Sequence, residues 1–512
     1  MADTFAKFNS STHPIVKLED DWNNLLDHGL HNFTGYYILT DGTYYSAINA
    51  STHKLVYGGD NTAGEIDGTD FDAVWTAVLT AIGDNGIVKL GSGTFYTDGL
   101  NVINSGPVTD TTQQWIEICG EGMGNTIIRG NSTATGAASN DGGFTDEAWL
   151  MIDSFNNSGI RVHVHDLKIF GDHSTNTNDV AGIILRYGRQ SIIERVWIQE
   201  CSKYGIFQVG PNAAYREAYI RDCIIYDIFD NDDTVGVPVE NNCVGIKSTF
   251  ADVYITNNII GWIGYDWAGD PEGYGIVAED STIVDGNVIW VTDTGIFTLS
   301  GSSDQVIINN FVDFAYDVGI YIYETDRATV HNNTIRIPYA DGIFLQNADK
   351  NSVQNNHFIL RDTFTTNRYI VESGTSDYNS IRNNMVKSDG TVSVAEIDIV
   401  GSHSSVRDNY GFSFIGGGGT WFEDTDDIIS AVASDSATPT ASTDYTVCNS
   451  AIMIKSTDSG NTNCAILIKA ENGTAMNTAA STLDGVYVPE GYMINWGAFT
   501  GAAPTVVISF VG

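Results

Sequence analysis

Through the middle of the chain, short runs place an apolar, mostly β-branched residue at every second position, and two phrases mark them. The first pairs Asn with Asn or a substitute: Ile255-Thr-Asn-Asn-Ile-Ile260, Val284-Asp-Gly-Asn-Val-Ile289, Ile308-Asn-Asn-Phe311, Val330-His-Asn-Asn-Thr-Ile335, Val353-Gln-Asn-Asn-His-Phe358, Ile381-Arg-Asn-Asn-Met-Val386 and Val406-Arg-Asp-Asn-Tyr410. Its second Asn recurs at 258, 287, 310, 333, 356, 384 and 409, in steps of 29, 23, 23, 23, 28 and 25 residues. Weaker copies reach upstream through Ile220-Arg-Asp-Cys-Ile-Ile225, Ile193-Glu-Arg-Val-Trp197 and Val164-His-Asp-Leu167. The second phrase is Gly-Ile, in Tyr204-Gly-Ile-Phe207, Val244-Gly-Ile-Lys247, Tyr274-Gly-Ile-Val277, Thr294-Gly-Ile-Phe297, Val318-Gly-Ile-Tyr321 and Asp341-Gly-Ile-Phe344.

Period-two alternation predicts strands. A 23-residue unit of short strands cannot bury its own apolar face, so neighbouring units must stack to complete the core. At about 4.8 Å per coil, ten to twelve coils would run roughly 50 to 60 Å. The recurrent Asn suits a turn that tolerates left-handed backbone, with its amide stacked on the Asn of adjacent coils. The recurrent Gly is expected at a tight corner. With each Gly-Ile isoleucine facing inward, Phe207, Lys247, Val277, Phe297, Tyr321 and Phe344 point outward, as do Val209, Glu279, Leu299, Tyr323 and Gln346 two residues on. This strip is expected to contact something, either a parallel neighbouring chain or a sugar.

Ahead of the repeats, Phe71, Val74, Trp75, Val78, Leu79 and Ile82 follow helical spacing, with Thr69 or Asp70 as N-cap. The stretch Gly86-Ile-Val-Lys-Leu-Gly-Ser-Gly-Thr-Phe-Tyr96 follows, then Ile116-Glu-Ile-Cys-Gly-Glu-Gly122 and Thr126-Ile-Ile128. Ile15, Leu18, Trp22 and Leu25 predict one more short helix, and Tyr36 to Tyr57 short strands with turns at Asp41-Gly42 and Gly58-Gly59. Gly416 to Gly419 and the Ala/Ser/Thr stretch from Ser434 to Asp444 read as a break and a linker. Beyond Tyr445, the runs Ile452-Met-Ile454, Ala465-Ile-Leu-Ile468 and Val506-Val-Ile-Ser-Phe510 predict a small antiparallel β domain.

The Gly-Ile and Asn-Asn phrases, with the helix-then-strand segment before them, resemble the coils of the pectin-lyase-like right-handed parallel β-helix superfamily, and among its members the tailspikes of phages. The resemblance covers residues 60 to 411. It departs at Gly91-Ser92, where a proline is usual, and in the acidic residues before the helix, which are not adjacent. The expected layout is an attachment or cap segment over 1–60, a β-helix over 61–415 with its capping helix at 70–83, a linker over 416–444 and a β domain over 445–512. The resemblance implies an extracellular homotrimer on a virion surface that recognises a cell-surface polysaccharide, with or without depolymerising it, and docks a tail or baseplate protein through its N-terminal segment. A non-enzymatic fibre, a cell-surface adhesin and a secreted polysaccharide lyase or hydrolase are the alternatives.

Charge narrows the partners. With 24 Lys and Arg against 64 Asp and Glu, the chain carries a net charge of −40, and nucleic-acid binding through phosphate neutralisation is excluded. No apolar run suggests a signal peptide or a membrane span. The six cysteines lack zinc-type spacing and read as buried thiols.

Candidate chemistry falls in the two longest insertions. Trp262-Ile-Gly-Tyr-Asp-Trp-Ala-Gly-Asp-Pro-Glu-Gly-Tyr274 sets the carboxylates Asp266, Asp270 and Glu272 among the rings of Trp262, Tyr265, Trp267 and Tyr274. Glycoside cleavage needs two carboxyl groups flanking the bond, and aromatic platforms hold the sugars. Glu324 and Asp326 could complete the pair, and Tyr321 and Tyr323 could extend the platform. Asp230, Asp232 and Asp233 offer oxygen ligands for calcium, the one cofactor suggested. The resemblance to polygalacturonases would require a Gly-His-Gly phrase, and to calcium-dependent pectate lyases an Arg-x-x-Arg region. Neither is present, so pectin is not the expected substrate.

Overall fold

The structure, a computed structural model, describes residues 35–410 except 61, 84, 105–113, 140–143, 155–159, 173–174, 177, 187–189, 211–216, 230–242, 250–251, 265–272, 280, 337, 361–364, 367, 389–390, 393–396 and 402, and beyond them the strands between 446 and 510. The predicted helix at 15–25, the Gly416–Gly419 break and the linker lie outside the described residues. The chain divides into two compact units, residues 1–299 and 300–512. Both are built on the coils of a right-handed parallel β-helix. Among the described residues no helix is long and apolar enough to cross a membrane.

The described part of the first unit begins with an antiparallel meander of Gly35–Thr40, Tyr45–Asn49 and Lys54–Gly58. The helix Phe71–Ile82 follows. Asp70 caps it by accepting the Ala73 N–H at 3.1 Å, and Phe71, Val74, Trp75, Val78 and Ile82 form its buried face. Coils then stack in register, so that one sheet runs through Asn85–Leu90, Gln114–Cys119, Ile160–Phe170, Ser191–Ser202, Ala218–Arg221, Val253–Thr256 and Ile283–Asp285. A second sheet takes the far halves of Ile160–Phe170 and Ser191–Ser202 and continues through Ile224–Phe229, Ile259–Ile263 and Val288–Thr298. Alternate residues fill the interior, where Val164, Leu167, Ile169, Ile193, Val196 and Ile198 are essentially inaccessible.

The second unit repeats the arrangement, for example through Val306–Ile308, Thr329–His331, Ser352–Gln354, Ser380–Arg382 and Ser405–Arg407. Its C-terminal strands, from Thr446–Val447 to Val506–Phe510, pair antiparallel in two small sheets, as expected.

Three expectations are refined. The paired Asn divides its labour: the first residue takes the left-handed backbone, at φ 57° for Asn309 and Asn332 and 55° for Asn355, and the second builds the ladder. Asn310 donates to Asn333, Asn333 to Asn356, Asn356 to Asn384 and Asn384 to Asn409, through side-chain bonds of 2.8 to 3.0 Å. The Gly of Gly-Ile is not a corner. It lies within a strand, and a Cβ on Gly245 would stand 2.6 Å from both the Gly275 carbonyl oxygen and Ile260 Cγ2, so glycine serves close approach. The outward strip of the first unit is largely covered by its own chain. Phe207 and Val277, 5% and 3% exposed, pack with Met151, Ile184 and Tyr204 beneath Phe144, Val209, Tyr274, Phe297 and Leu299.

Candidate functional site: an aromatic and carboxyl-bearing corner

Strands that alternate inward and outward present two outer rows on the second sheet of the first unit. Register places Lys168, Trp197, Ile224, Ile259 and Val288 in one row, and Phe170, Gln199, Tyr226, Gly261 and Trp290 in the next. Ile259 and Val288 are 39% and 37% exposed, and the rings of Trp197, Tyr226 and Trp290 are half-buried. Lys168 Nζ lies 3.8 Å from the Trp197 ring centroid and 5.0 Å from that of Phe170. The Tyr226 ring is 6.2 Å from Trp262 and 6.4 Å from Trp290, tilted to both. Gly261 leaves room for this packing, because a Cβ there would meet the Trp290 indole at 2.5 Å. The Trp197 indole N–H has no hydrogen-bond partner among the described residues.

Beside these rows the chain turns a corner at one left-handed residue per coil: Glu200 at φ 53°, Asp227 at 55°, Trp262 at 56° and Val291 at 53°. Flanking pairs Gln199↔Tyr226 and Cys201↔Ile228, then Tyr226↔Gly261 and Ile228↔Ile263, put Glu200, Asp227 and Trp262 directly above one another. Bulky and β-branched residues rarely adopt this backbone, and each such position costs about 1–3 kcal/mol.

The corner carboxyls are electrostatically unusual. Burial pushes Asp227 up to about 6, with the nearby Glu200 charge adding to the rise, against a hydrogen bond from Gln199 at 3.5 Å. Burial also raises Glu200, reinforced by Asp172 and opposed by Lys168 and Arg129. Lys168 is lowered by burial and donates to Gln199 Oε1 at 2.8 Å. Arg129 donates to Asp172 at 2.5 Å and stacks over Phe170. A carboxyl raised by burial, a neighbouring carboxyl one coil away and a bank of rings are the groups that glycosidic chemistry uses.

Of the residues singled out by sequence, Trp262 belongs to this corner. Tyr265, Asp266, Trp267, Asp270 and Glu272 lie outside the described residues, as do Asp230, Asp232 and Asp233. Tyr274 sits on the other outer strip, its ring 5.2 Å from Phe297, so the structure separates it from Trp262. In the second unit, Tyr321 stacks on Phe344 at 4.9 Å, meets Tyr323 edge-on at 5.9 Å and donates its hydroxyl to Gln346. Hydrogen bonds from Ser300 and Tyr323 hold Glu324 below the usual carboxylate range, and Asp326 accepts the Asp349 N–H at 3.1 Å in a turn.

Glu200, Asp227, Trp197, Tyr226 and Trp290 were missed. Extending the Asn-Asn alignment four residues past its second position would have stacked Asp227 on Trp262. The strands Ile224–Phe229 and Ile259–Ile263 that carry these two residues also run directly into the two long insertions.

Comparison with known proteins bears on the fold. The family model of NosD, described as a periplasmic copper-binding protein, matches residues 211–417, less than half of the chain. No curated protein matches in sequence. Among solved structures, a double mutant of the tailspike protein of E. coli bacteriophage HK620 is similar, with TM-score 0.53 and 10% identity over 96% of this chain and 98% of that one. A single mutant of the same tailspike, in complex with a pentasaccharide, gives 0.52 and 11% over 96% and 98%. The A-module of the mannuronan C-5 epimerase AlgE4 of Azotobacter vinelandii gives 0.43 and 18% over 66% and 94%. At these identities the tailspike likeness establishes the β-helix fold.

Proposed function

We propose that the chain is a tailspike-like protein that binds a cell-surface polysaccharide along the aromatic rows of its first unit and hydrolyses it at the Glu200–Asp227 corner. The carrying observation is Asp227, a carboxyl raised to about 6 in a stacked column with Glu200 and Trp262. Around neutral pH such a group retains enough proton to act as general acid on the leaving glycosidic oxygen. Coils repeat at about 4.8 Å, close to the roughly 5 Å carboxyl separation of retaining glycosidases, and Glu200 then takes the nucleophile's place. Trp197, Tyr226, Trp262 and Trp290 supply ring faces for successive sugars. The solved tailspike bound to a pentasaccharide supports the polysaccharide class. An extracellular, virion-surface homotrimer belongs to the same reading, supported by the half-buried Tyr321–Phe344 stack on the outer face of the second unit. Calcium at Asp230, Asp232 and Asp233 is a subsidiary part of it, tested by chelation.

The test incubates the protein with a panel of bacterial surface polysaccharides and follows oligosaccharide release and binding separately. Asp227→Asn should abolish release and leave binding within threefold. Trp197→Ala should weaken binding by about 1–3 kcal/mol, the value of one large buried ring. Release that survives both Asp227→Asn and Glu200→Gln would sink the assignment. Binding without release by the unaltered protein would favour the non-enzymatic fibre.

A further inference from the structure

On the first sheet of the first unit, Glu117 and Cys119 stand two residues apart on one strand and so face the same way. The next strand sets His165 directly opposite Cys119 and His163 opposite Glu117. One oxygen, one sulfur and one nitrogen ligand atom from Glu117, Cys119 and His165 all lie within 4.8 Å of one another. Cys119 is 7% exposed, and the side chains of His165 and Glu117 are 14% and 23% exposed.

The surroundings orient this set. Asp166 Oδ2 lies 2.7 Å from His165 Nδ1, and Arg195 fixes that carboxylate through bonds of 2.8 and 2.9 Å. With Nδ1–H donated to Asp166, His165 Nε2 faces Glu117 Oε1 at 3.1 Å, a gap that an Nε2 proton or a metal ion can bridge. A carboxylate behind the imidazole is the outer-shell partner that metal-binding histidines characteristically have. His163, its ring 4.2 Å from that of His165 and its Nε2 3.2 Å from Glu194, braces the other side.

We propose that Glu117, Cys119 and His165 form a site for a divalent ion of zinc type. Mixed sulfur, nitrogen and oxygen donors suit Zn²⁺, three protein ligands leave its fourth position open, and tetrahedral bond lengths near 2.0–2.3 Å draw ligand atoms to about 3.5 Å apart. His165 Nε2 and Glu117 Oε1, 3.1 Å apart, already lie near that spacing. Zinc is bound by the thiolate, so the Cys119 proton leaves as the metal binds. The competing arrangement is a proton in the same place, with His165 as an imidazolium that donates to Glu117 and Asp166. That arrangement makes no use of Cys119. The site lies outside residues 211–417 and stands independently of the glycan reading.

Cobalt(II) titration of the full chain is the test, read by near-ultraviolet sulfur-to-cobalt charge transfer and visible ligand-field bands, with zinc displacing the signal. One equivalent should bind. Cys119→Ser should erase the charge-transfer band, and Cys223→Ser, at a buried thiol elsewhere, should leave it intact. Asp166→Asn keeps all three ligands and should weaken cobalt binding 10- to 100-fold. Absence of a charge-transfer band in the folded protein, or a band that persists in Cys119→Ser, would overturn the proposal and leave His165 as an imidazolium between two carboxylates.

Discussion

Truncating one rung of the Asn ladder should destabilise the second unit far more than truncating the residue beside it. Asn356 is inaccessible, and its amide donates to the Val330 carbonyl at 2.8 Å and to Asn384 Oδ1 at 3.0 Å. Its own oxygen accepts the Asn333 backbone N–H and side-chain amide, each at 3.0 Å. Asn356→Ala therefore strands two donors on the buried Asn333 and removes one bond from the Val330 carbonyl. Groups orphaned away from water cost about 1–3 kcal/mol each, which places the loss at about 3–5 kcal/mol. Asn355 is exposed and left-handed at φ 55°. Asn355→Ala sacrifices only that backbone preference, about 1–2 kcal/mol. Urea denaturation of the two variants measures the difference, and hydrogen exchange at the Asn333 amide locates it, since solenoid coils depend on their immediate neighbours. Equal losses in the two variants, or undiminished protection at Asn333 in Asn356→Ala, would refute the view that the ladder holds these coils.

Two further outcomes follow from packing and from burial. Gly245→Ala should cost about 1–3 kcal/mol by driving a methyl to 2.6 Å from the Gly275 carbonyl oxygen, whereas Gly124→Ala, with nothing within 4 Å, should be close to neutral in the same denaturation assay. Asp72 is raised by burial to about 6 although it accepts bonds from Thr97 and the Asp98 N–H, so its contribution to stability is full below pH 3.8 and is lost as pH rises through 6. After discounting for its partial contact with solvent, about 1–2 kcal/mol is at stake, and Asp72→Asn should gain on the unaltered protein by that amount between pH 4 and pH 7 in thermal melts.

The fold was legible because its cause is periodic. Stacking forces each coil to put the same residue type at the same corner, and the Asn ladder and Gly-Ile columns are that requirement written at 23-residue spacing. The helix was equally plain, since Phe71 to Ile82 bury one stripe under an Asp70 cap. Close approach and tight turning both select glycine, and only the folded structure distinguishes them, which is why Gly245 was misplaced at a corner. The outer strip misled for a related reason: period two says that Phe207 leaves the β-helix interior, but not that Phe144, 63 positions earlier, lies against it with a ring separation of 6.1 Å. The Glu117, Cys119 and His165 cluster had no sequence signal, because strand register rather than spacing joins positions 119 and 165.

The Glu117, Cys119 and His165 cluster and the Lys168, Trp197, Glu200 and Asp227 end of the aromatic corner lie on coils where the ladder asparagine is replaced, whereas Trp262 and Trp290 lie on coils that carry Asn258 and Asn287. Ile160–Phe170 and Ser191–Ser202 each pass through two sheets, turned by a single left-handed residue, Asp166 at φ 56° and Arg195 at φ 49°. The polar cluster precedes that turn, and the Lys168, Phe170 and Trp197 face follows it. Behind the turn these coils carry Leu167 and Val196 where later coils carry ladder asparagines, and the amide ladder begins where the Cys223 N–H meets Asn258 Oδ1 at 3.0 Å. The corner is held instead by the Arg195–Asp166 pair, with Arg195 and Arg221 also binding Glu194. An ion pair on the outside leaves the inner position free for apolar packing and orients side chains such as His165, which an inward-facing amide cannot do. The polar cluster and the Lys168, Phe170 and Trp197 face thus share coils whose turn is set by an outer ion pair rather than by an inner amide, so the Arg195–Asp166 pair that shapes the turn also orients the His165 ring beside it.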